Sequence, residues 1–245
     1  MVQNELRAEK DDSTHWRFRK VEVKSGKSET WDVVQTKEGE VQHLLAVDGH
    51  PLTAAQRRDE EERMRKYVRT PAEQDKRRQA SSSDSSKEQS LLKMLPQALL
   101  YHYQGKQNDL IRLTFTPNPR FHASSHEEEV FHHMIGQLVF DEKNMRLVEL
   151  RGRIASRVDF GYGILGHLDK GGTFDVRQAD VGDGHWDVTL LQTDLTGKAL
   201  FFRTITVHEK LVESDYRRVP DNLTLQQGAQ LLTKNDRLSA SLPQR

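Results

Sequence analysis

From about residue 110 to residue 207, the chain repeats one pattern, in which short segments of alternating apolar and polar residues are separated by turn signals. Ile111, Leu113 and Phe115 form one such segment, and residues 182–184, Gly-Asp-Gly, are a strong hairpin signal between two others. Strict alternation places every second side chain on the same face of a strand. The pattern therefore predicts an antiparallel sheet of consecutive hairpins. One face of this sheet is apolar and must be covered by helices, by a ligand or by both.

The region before this sheet divides into a β part and a helical part. Residues 14–47 alternate with period two and are predicted to form strands. Residues 53–95 are predicted to form a charged helical insert, since Thr53 and Gln56 match a capping box and strong helix formers follow them. The apolar stripe of this helix is thin and consists of Leu52, Met64, Tyr67 and Val68.

Local signals predict where several other elements end. The Ser-rich segment 79–88 is expected to be a flexible loop, and Pro96 is expected to break the short helix that follows it. Ser125 is the predicted cap of another short helix, which Gly136 closes. Residues 196–198, Thr-Gly-Lys, predict the last turn of the sheet.

These segments together predict an α+β fold, in which helices pack on one face of a curved antiparallel sheet. Nothing in the pattern demands two domains. We therefore predict a single domain over residues 1–232, with the charged helical insert at 53–95 and a polar tail at 233–245.

Composition excludes several classes of function. Lys plus Arg equals Asp plus Glu at 37 each, so net charge favours neither nucleic acid nor an anionic membrane surface as a partner. The absence of cysteine rules out disulfides, thiolate nucleophiles and Cys-based metal sites. No run approaches the roughly 20 apolar residues of a transmembrane helix, and the N-terminus lacks the apolar core of a signal peptide. We expect no transmembrane segment, and either a cytosolic protein or a mature chain with an added Met1.

The most reactive-looking segment, residues 122–133, holds four histidines and three consecutive glutamates. Glu129 and His132 have the Glu-x-x-His spacing of carboxylate-bridged metal sites, but such sites need a second copy of the motif and two further glutamates, which the chain lacks. Ser125 could be a nucleophile, but no Gly-x-Ser-x-Gly elbow surrounds it, and helix capping explains it. A His-cluster metalloenzyme is therefore a remote alternative, and we predict no catalytic residue, no metal and no cofactor.

The glycine-rich segment 160–172 is not a phosphate loop, because it lacks the Gly-x-x-x-x-Gly-Lys-Ser/Thr pattern. We predict a long connection between adjacent antiparallel strands. Its apolar residues Ile164, Leu165 and Leu168 are expected to pack against the open face of the sheet.

Several motifs in residues 97–216 carry a resemblance to a known family. They are Pro-Asn-Pro at 117–119, a short capped helix, Gly136-x-Leu-x-Phe-Asp141, Leu-x-Glu-Leu-x-Gly152, Phe160-Gly-x-Gly-Ile-Leu-Gly166, Lys170-Gly-Gly-x-Phe174 and Gly184-x-Trp186. In this order the motifs resemble uncharacterised bacterial envelope proteins that are similar to the outer-membrane lipoprotein-sorting proteins of the LolA-like superfamily. The chain departs from the true carriers in its charged helical insert at 53–95.

The resemblance implies a half-open antiparallel β-barrel whose concave face is covered by helices. It further implies a periplasmic, non-enzymatic protein that binds a lipid or the acyl chain of a lipoprotein between sheet and helices. The residues expected to line this cavity are Phe115, Phe140, Leu150, Ile164, Leu165, Phe174, Trp186 and Phe201. The alternative is an envelope interaction or sensor module, in which the helices fill the cavity and the charged helix binds a partner protein.

Overall fold

The computed structural model describes residues 1–161, 165–199 and 203–240. Within these residues the chain forms thirteen strands, five α-helices and one 3-10 helix. In chain order they are α1 Val2–Asp11, β1 His15–Lys24, β2 Lys27–Thr36, β3 Gly39–Val47, β4 His50–Pro51, α2 Ala54–Arg69, α3 Pro71–Ala98, β5 Leu99–Gln107, β6 Leu110–Pro117, α4 His126–Glu129, the 3-10 helix Val130–His133, β7 Met134–Asp141, β8 Arg146–Ile154, β9 Val158–Phe160, β10 Gly166–Leu168, β11 Thr173–Gly182, β12 His185–Ala199, β13 Arg203–Val219 and α5 Leu225–Ala240.

The strands form one antiparallel sheet in the order β4-β3-β2-β1-β13-β12-β11-β8-β7-β6-β5, with β10 paired to both β12 and β9. Across the described residues the order is open, since β4 and β5 are its two ends and the sheet does not close into a barrel. The predicted α+β class with a large antiparallel sheet is confirmed.

Two compact units are distinguished along the chain. The first unit comprises Met1–Asp12, Lys24–Gly26 and Ser86–Val212, and the second comprises Ser13–Val23, Lys27–Ser85 and Glu213–Arg245. The single domain over residues 1–232 stays a prediction.

The core of the first unit is built on paired glycines beneath aromatic rings. Phe115, Gly136, Gly152 and Phe174 are register partners across β6, β7, β8 and β11. A Cβ atom at Gly136 would lie 2.7 Å from the ring of Phe115, and one at Gly152 would lie 2.7 Å from the ring of Phe174. The two rings therefore occupy the space that side chains at these glycines would need.

Helical segments cover this apolar face. Leu95 and Ala98 near the end of α3 and Phe131 in the 3-10 helix are buried in one cluster with Phe115 and Leu138. Each covering segment leads without a loop into a strand of the sheet, α3 into β5 and the 3-10 helix into β7. The prediction that helices pack on one face is thus confirmed in this unit.

The second unit has its own core, in which α2 and α5 contact β3. Its buried residues are Val34, Val41, Met64, Tyr67, Leu223, Leu225 and Leu232. Gly228 lets α5 approach β2 closely, because a Cβ atom there would lie 2.9 Å from a methyl group of Thr36. The predicted stripe of α2 is confirmed, since Leu52, Met64 and Tyr67 are all buried.

The expected loop at residues 79–88 is wrong, because α3 is continuous from Pro71 to Ala98 and includes Pro96. Serine disfavours helices by competing for backbone hydrogen bonds. Here the hydroxyl of Ser90 donates to the carbonyl of Ser86 one turn earlier at 2.8 Å, a bond that leaves the helix intact.

The predictions that two glycines end a helix or form a turn are wrong. Gly136 does not close a helix but lies in β7, and Gly197 does not form a turn but pairs with Ile205 inside β12. A Cβ atom at Gly197 would lie 2.2 Å from the carbonyl oxygen of His167, so this glycine permits the close approach of β10. Close approach and turn formation both select glycine, and local sequence does not separate them.

Helix α1 was not predicted from the sequence. Its buried Glu5 accepts a hydrogen bond from the Nε atom of Arg146 at 3.0 Å and another from the backbone N–H of Leu147. After the helix, Asp12 pairs with Nδ1 of His185, whose Nε2 lies 3.4 Å from Asp187. These contacts tie the N-terminus to β8 and β12 of the first unit.

Replacing Gly152 by alanine should destabilise the fold. The new Cβ would lie 2.4 Å from the backbone oxygen of Ile135, and overpacking of this kind costs about 1–3 kcal/mol. Urea unfolding measures the change, with Thr116→Ala on the exposed side of β6 as the control. Equal midpoints for the two variants would contradict the packing described.

The pair of acidic partners around His185 predicts a pH dependence of stability. Burial alone lowers the pKa of this histidine, but hydrogen bonding to the carboxylates of Asp187 and Asp12 outweighs burial and raises the pKa above its usual value of 6.5. The folded state therefore binds the proton more tightly, and the stabilisation is fully present below about pH 6.5 and lost as the pH rises through the folded pKa.

We expect His185→Asn to reduce the free energy of unfolding more at about pH 5.5 than at about pH 8.5. Urea titrations at both values measure the difference, and His102→Asn at an exposed site of the same unit is the control. A loss that is larger at alkaline pH would refute the assignment.

Candidate ligand-binding groove

The predicted cavity residues do not all come together. Phe115, Phe140, Leu150 and Phe174 pack in the covered cluster of the first unit. Trp186 is partly buried, with the guanidinium of Arg146 5.7 Å from its ring centroid, and Leu165 is 44% exposed. Ile164 and Phe201 lie outside the described residues. That these residues line a ligand cavity stays a prediction.

The His-rich segment 122–133 has structural contacts. Ser125 accepts a hydrogen bond from the backbone N–H of Glu128 at the start of α4, so its predicted role as a helix cap is confirmed. His133 contacts the hydroxyl of Ser156 at 2.8 Å, and burial lowers the pKa of this histidine. Among the described residues, no group of three His, Asp or Glu side chains is arranged to hold a metal ion.

An open groove of about 940 Å³ lies in the second unit, where α2 and α5 flank the β3–β4 hairpin. Its lining combines apolar side chains with a few polar and charged ones. The lining residues used below are Leu44, Leu45, Leu52, Met64, Val68 and Ala229, with Arg57, Glu61, Arg65, Arg69, Gln226 and Gln230.

Helical periodicity explains why these side chains converge. Arg57, Glu61, Arg65 and Arg69 recur every four residues and therefore share one face of α2. On α5, Gln226, Ala229, Gln230 and Thr233 recur at intervals of three or four residues and share another face. The two helical faces form walls of the groove.

A buried carboxylate joins α2 to β3. Glu60 is 5% exposed and accepts a hydrogen bond from the backbone N–H of Leu44 at 2.9 Å. Arg63 donates to both oxygens of Glu60, at 2.6 and 2.7 Å, and to the carbonyl of Gln42 at 2.7 Å. The hydrogen bonds to Glu60 raise the pKa of Arg63 above its usual range.

Both ends of α2 are also capped. The predicted capping box is confirmed, since the Thr53 side chain accepts from the N–H of Gln56 and the Gln56 side chain accepts from the N–H of Thr53. At the other end, the amide of Gln74 donates to the carbonyls of Tyr67 and Val68 at 2.9 Å each. These bonds satisfy backbone groups that a helix end leaves unpaired.

Helix α5 has a similar anchor at its start. Thr224 and Gln227 exchange hydrogen bonds in a capping box, and the backbone N–H of Leu225 donates to Glu38 at 2.8 Å. Polar contacts therefore hold α2 to β3 through Glu60 and the start of α5 to Glu38.

The described part of the groove lining is predominantly positive. Among these described lining residues, Arg57, Arg65 and Arg69 are three of the four that carry a full charge, and the fourth is Glu61. Among the described residues, none of these three guanidinium groups forms an ion pair. Two other basic residues of α2 are paired, Arg63 with Glu60 and Lys66 with Glu73 at 2.7 Å.

The chain was compared with known protein families, with curated proteins and with solved structures, and none of these matches it. Within the described ranges, no helix has both the length and the apolar character needed to cross a membrane.

Sequence reasoning missed the groove, although part of its signal was present. The stripe of Met64 and Val68 is predicted from the sequence, but no binding role is predicted for the arginines beside it. No helix is predicted from the sequence for residues 225–240. The wall of the groove that α5 forms was therefore not predicted either. The spacing of the apolar residues Leu225, Ala229 and Leu232 is a helical signal that could have revealed it.

Substituting Glu60 by glutamine should loosen α2 from β3. The change removes a charge from hydrogen bonds that contribute about 1.5–3 kcal/mol each and leaves the guanidinium of Arg63 without its partner. We expect a clear fall in the free energy of unfolding, measured with urea. Glu62→Gln, at an exposed position of the same helix, is the matched control and should be nearly neutral; equal losses in the two variants would argue against the anchor.

Proposed function

We propose that the protein is a non-enzymatic binding protein for a hydrophobic ligand, a lipid or an acyl chain, and that the apolar part of the ligand lies in the groove between α2 and α5. The observation that carries the proposal is the groove itself. Its volume of about 940 Å³ falls in the range of about 300–1,000 Å³ typical of small-molecule sites, and apolar side chains such as Leu52, Met64 and Val68 line it.

The resemblance to LolA-like proteins supports the same class of function from independent features. It rests on motifs in residues 97–216, whereas the groove is built by residues of the second unit. The periplasmic location belongs to the proposal and follows from the resemblance alone. Under this proposal the ligand lies in the second unit and not at the predicted face of the first unit, which Leu95, Ala98 and Phe131 cover.

Chain length is the main determinant of affinity under this proposal. Each buried methylene contributes about 0.8 kcal/mol, so roughly ten of them contribute about 8 kcal/mol. Association itself costs an estimated 4–15 kcal/mol, roughly the same size. Short chains should therefore bind weakly or not at all.

Monoacylglycerols of increasing chain length test this directly by displacing a neutral solvatochromic dye. Because each pair of methylenes contributes about 1.6 kcal/mol, affinity should rise about tenfold per two carbons until the groove is full. Native mass spectrometry after incubation with a bacterial lipid extract should show a bound lipid. No binding by any of these probes would end the proposal.

A bulky substitution in the groove tests whether the lipid binds there. Gln230 is exposed and lines the groove, so Gln230→Trp should fill the space without disturbing the core and weaken lipid binding about tenfold or more. Gln79→Trp places the same residue at an exposed position of α3 outside the lining and should bind as the unchanged protein does. Equal binding by both variants would place the ligand elsewhere.

The covered cluster of the first unit favours a second candidate, an envelope interaction module without a lipid. Phe115 is 1% exposed beneath its helical cover, as that alternative requires. The lipid extract distinguishes the two, since a module of this kind retains no lipid.

A further inference from the structure

We infer that the groove selects amphiphiles with an anionic head group, a carboxylate or a phosphate, which Arg65 and Arg69 hold while the chain lies on the apolar lining. The inference rests on the proposed function and adds the chemistry of the head group.

The positions of the two arginines support a shared head site. They are four residues apart, which corresponds to about 6 Å along the helix axis, within the reach of two long side chains toward one group. Both line the groove and both are exposed, so the guanidinium groups can reorient toward a ligand. Guanidinium forms paired hydrogen bonds with carboxylate and phosphate oxygens, which suits this head chemistry.

The distribution of charge on α2 points the same way. Arg63 is paired with Glu60 and Lys66 with Glu73, whereas Arg65 and Arg69 form no ion pair within the described residues. An unpaired arginine on a flat surface needs no explanation, because water solvates it. Here the positive charges border a concave apolar surface, which is the arrangement that complements a negatively charged amphiphile.

The carboxylate of Glu61 should weaken the binding of an anionic head group. Glu61 lies one turn before Arg65 on the same helical face, and its side chain belongs to the described lining of the groove. An anionic head at Arg65 is repelled by this carboxylate, so its removal should favour the ligand. The affinity for a neutral ligand should not change when this carboxylate is removed.

Four amphiphiles with the same chain test the inference: dodecanoate, dodecyl phosphate, monolauroylglycerol and dodecyltrimethylammonium. Since charge-assisted hydrogen bonds are involved, the two anions should bind about tenfold or more tightly than the neutral lipid, and the cation most weakly. The preference should shrink as salt is raised. Calorimetric titration or dye displacement measures all four with the full chain.

Three variants assign the preference to residues. The double variant Arg65→Gln, Arg69→Gln should bind dodecanoate no better than it binds monolauroylglycerol. Glu61→Gln should bind dodecanoate more tightly. The control Arg58→Gln, Lys76→Gln removes two positive charges at exposed positions outside the lining and should keep the preference.

The outcomes separate this inference from the proposed function. If all four amphiphiles bind equally well, the groove binds chains and the head selection is wrong. If the control loses the preference as fully as the Arg65 and Arg69 variant does, the attraction comes from overall charge and the assigned site is wrong. If none of the four binds, both the inference and the proposed function fail.

Discussion

The apolar face of an antiparallel sheet must be covered, because exposed apolar surface costs about 25 cal/mol for each Å². In the first unit the cover is local in sequence. Helix α3 leads directly into β5 and the 3-10 helix directly into β7, so each segment folds onto the sheet that it joins. The rings of Phe115 and Phe174 above Gly136 and Gly152 complete the packing, and the cover is held by contacts distributed over many residues.

The second unit meets the same constraint differently. Helices α2 and α5 bury Met64, Tyr67 and Leu232 against the strands, but polar contacts fix where the helices lie. Glu60 binds the backbone of β3 and Glu38 binds the start of α5. These bonds hold α2 and α5 to the strands, and an open groove lies where the two helices flank the β3–β4 hairpin.

Sequence alone predicted the features that depend on neighbouring residues. Alternation placed Phe115 correctly on the buried face of its strand, and spacing placed the capping box at the start of α2. The features that failed depend on contacts distant in sequence. Gly197 was taken for a turn because the approach of His167 is invisible locally, and the groove joins residue 43, residues 57–69 and residues 226–233, which only the folded chain brings together.

Helix α2 anchors the fold with one face and lines the groove with another. Each residue of an α-helix is rotated by about 100° from the one before it, so two stripes that differ by one position face different directions. On α2, Glu60 and Tyr67 belong to the buried stripe, while Arg57, Glu61 and Arg65 belong to the exposed stripe beside it. Since the bonds that hold the helix lie in the first stripe, the charge of the second can vary without loss of the fold. The proposed selection of a head group therefore depends on exposed arginines and not on the contacts that hold α2 to the fold.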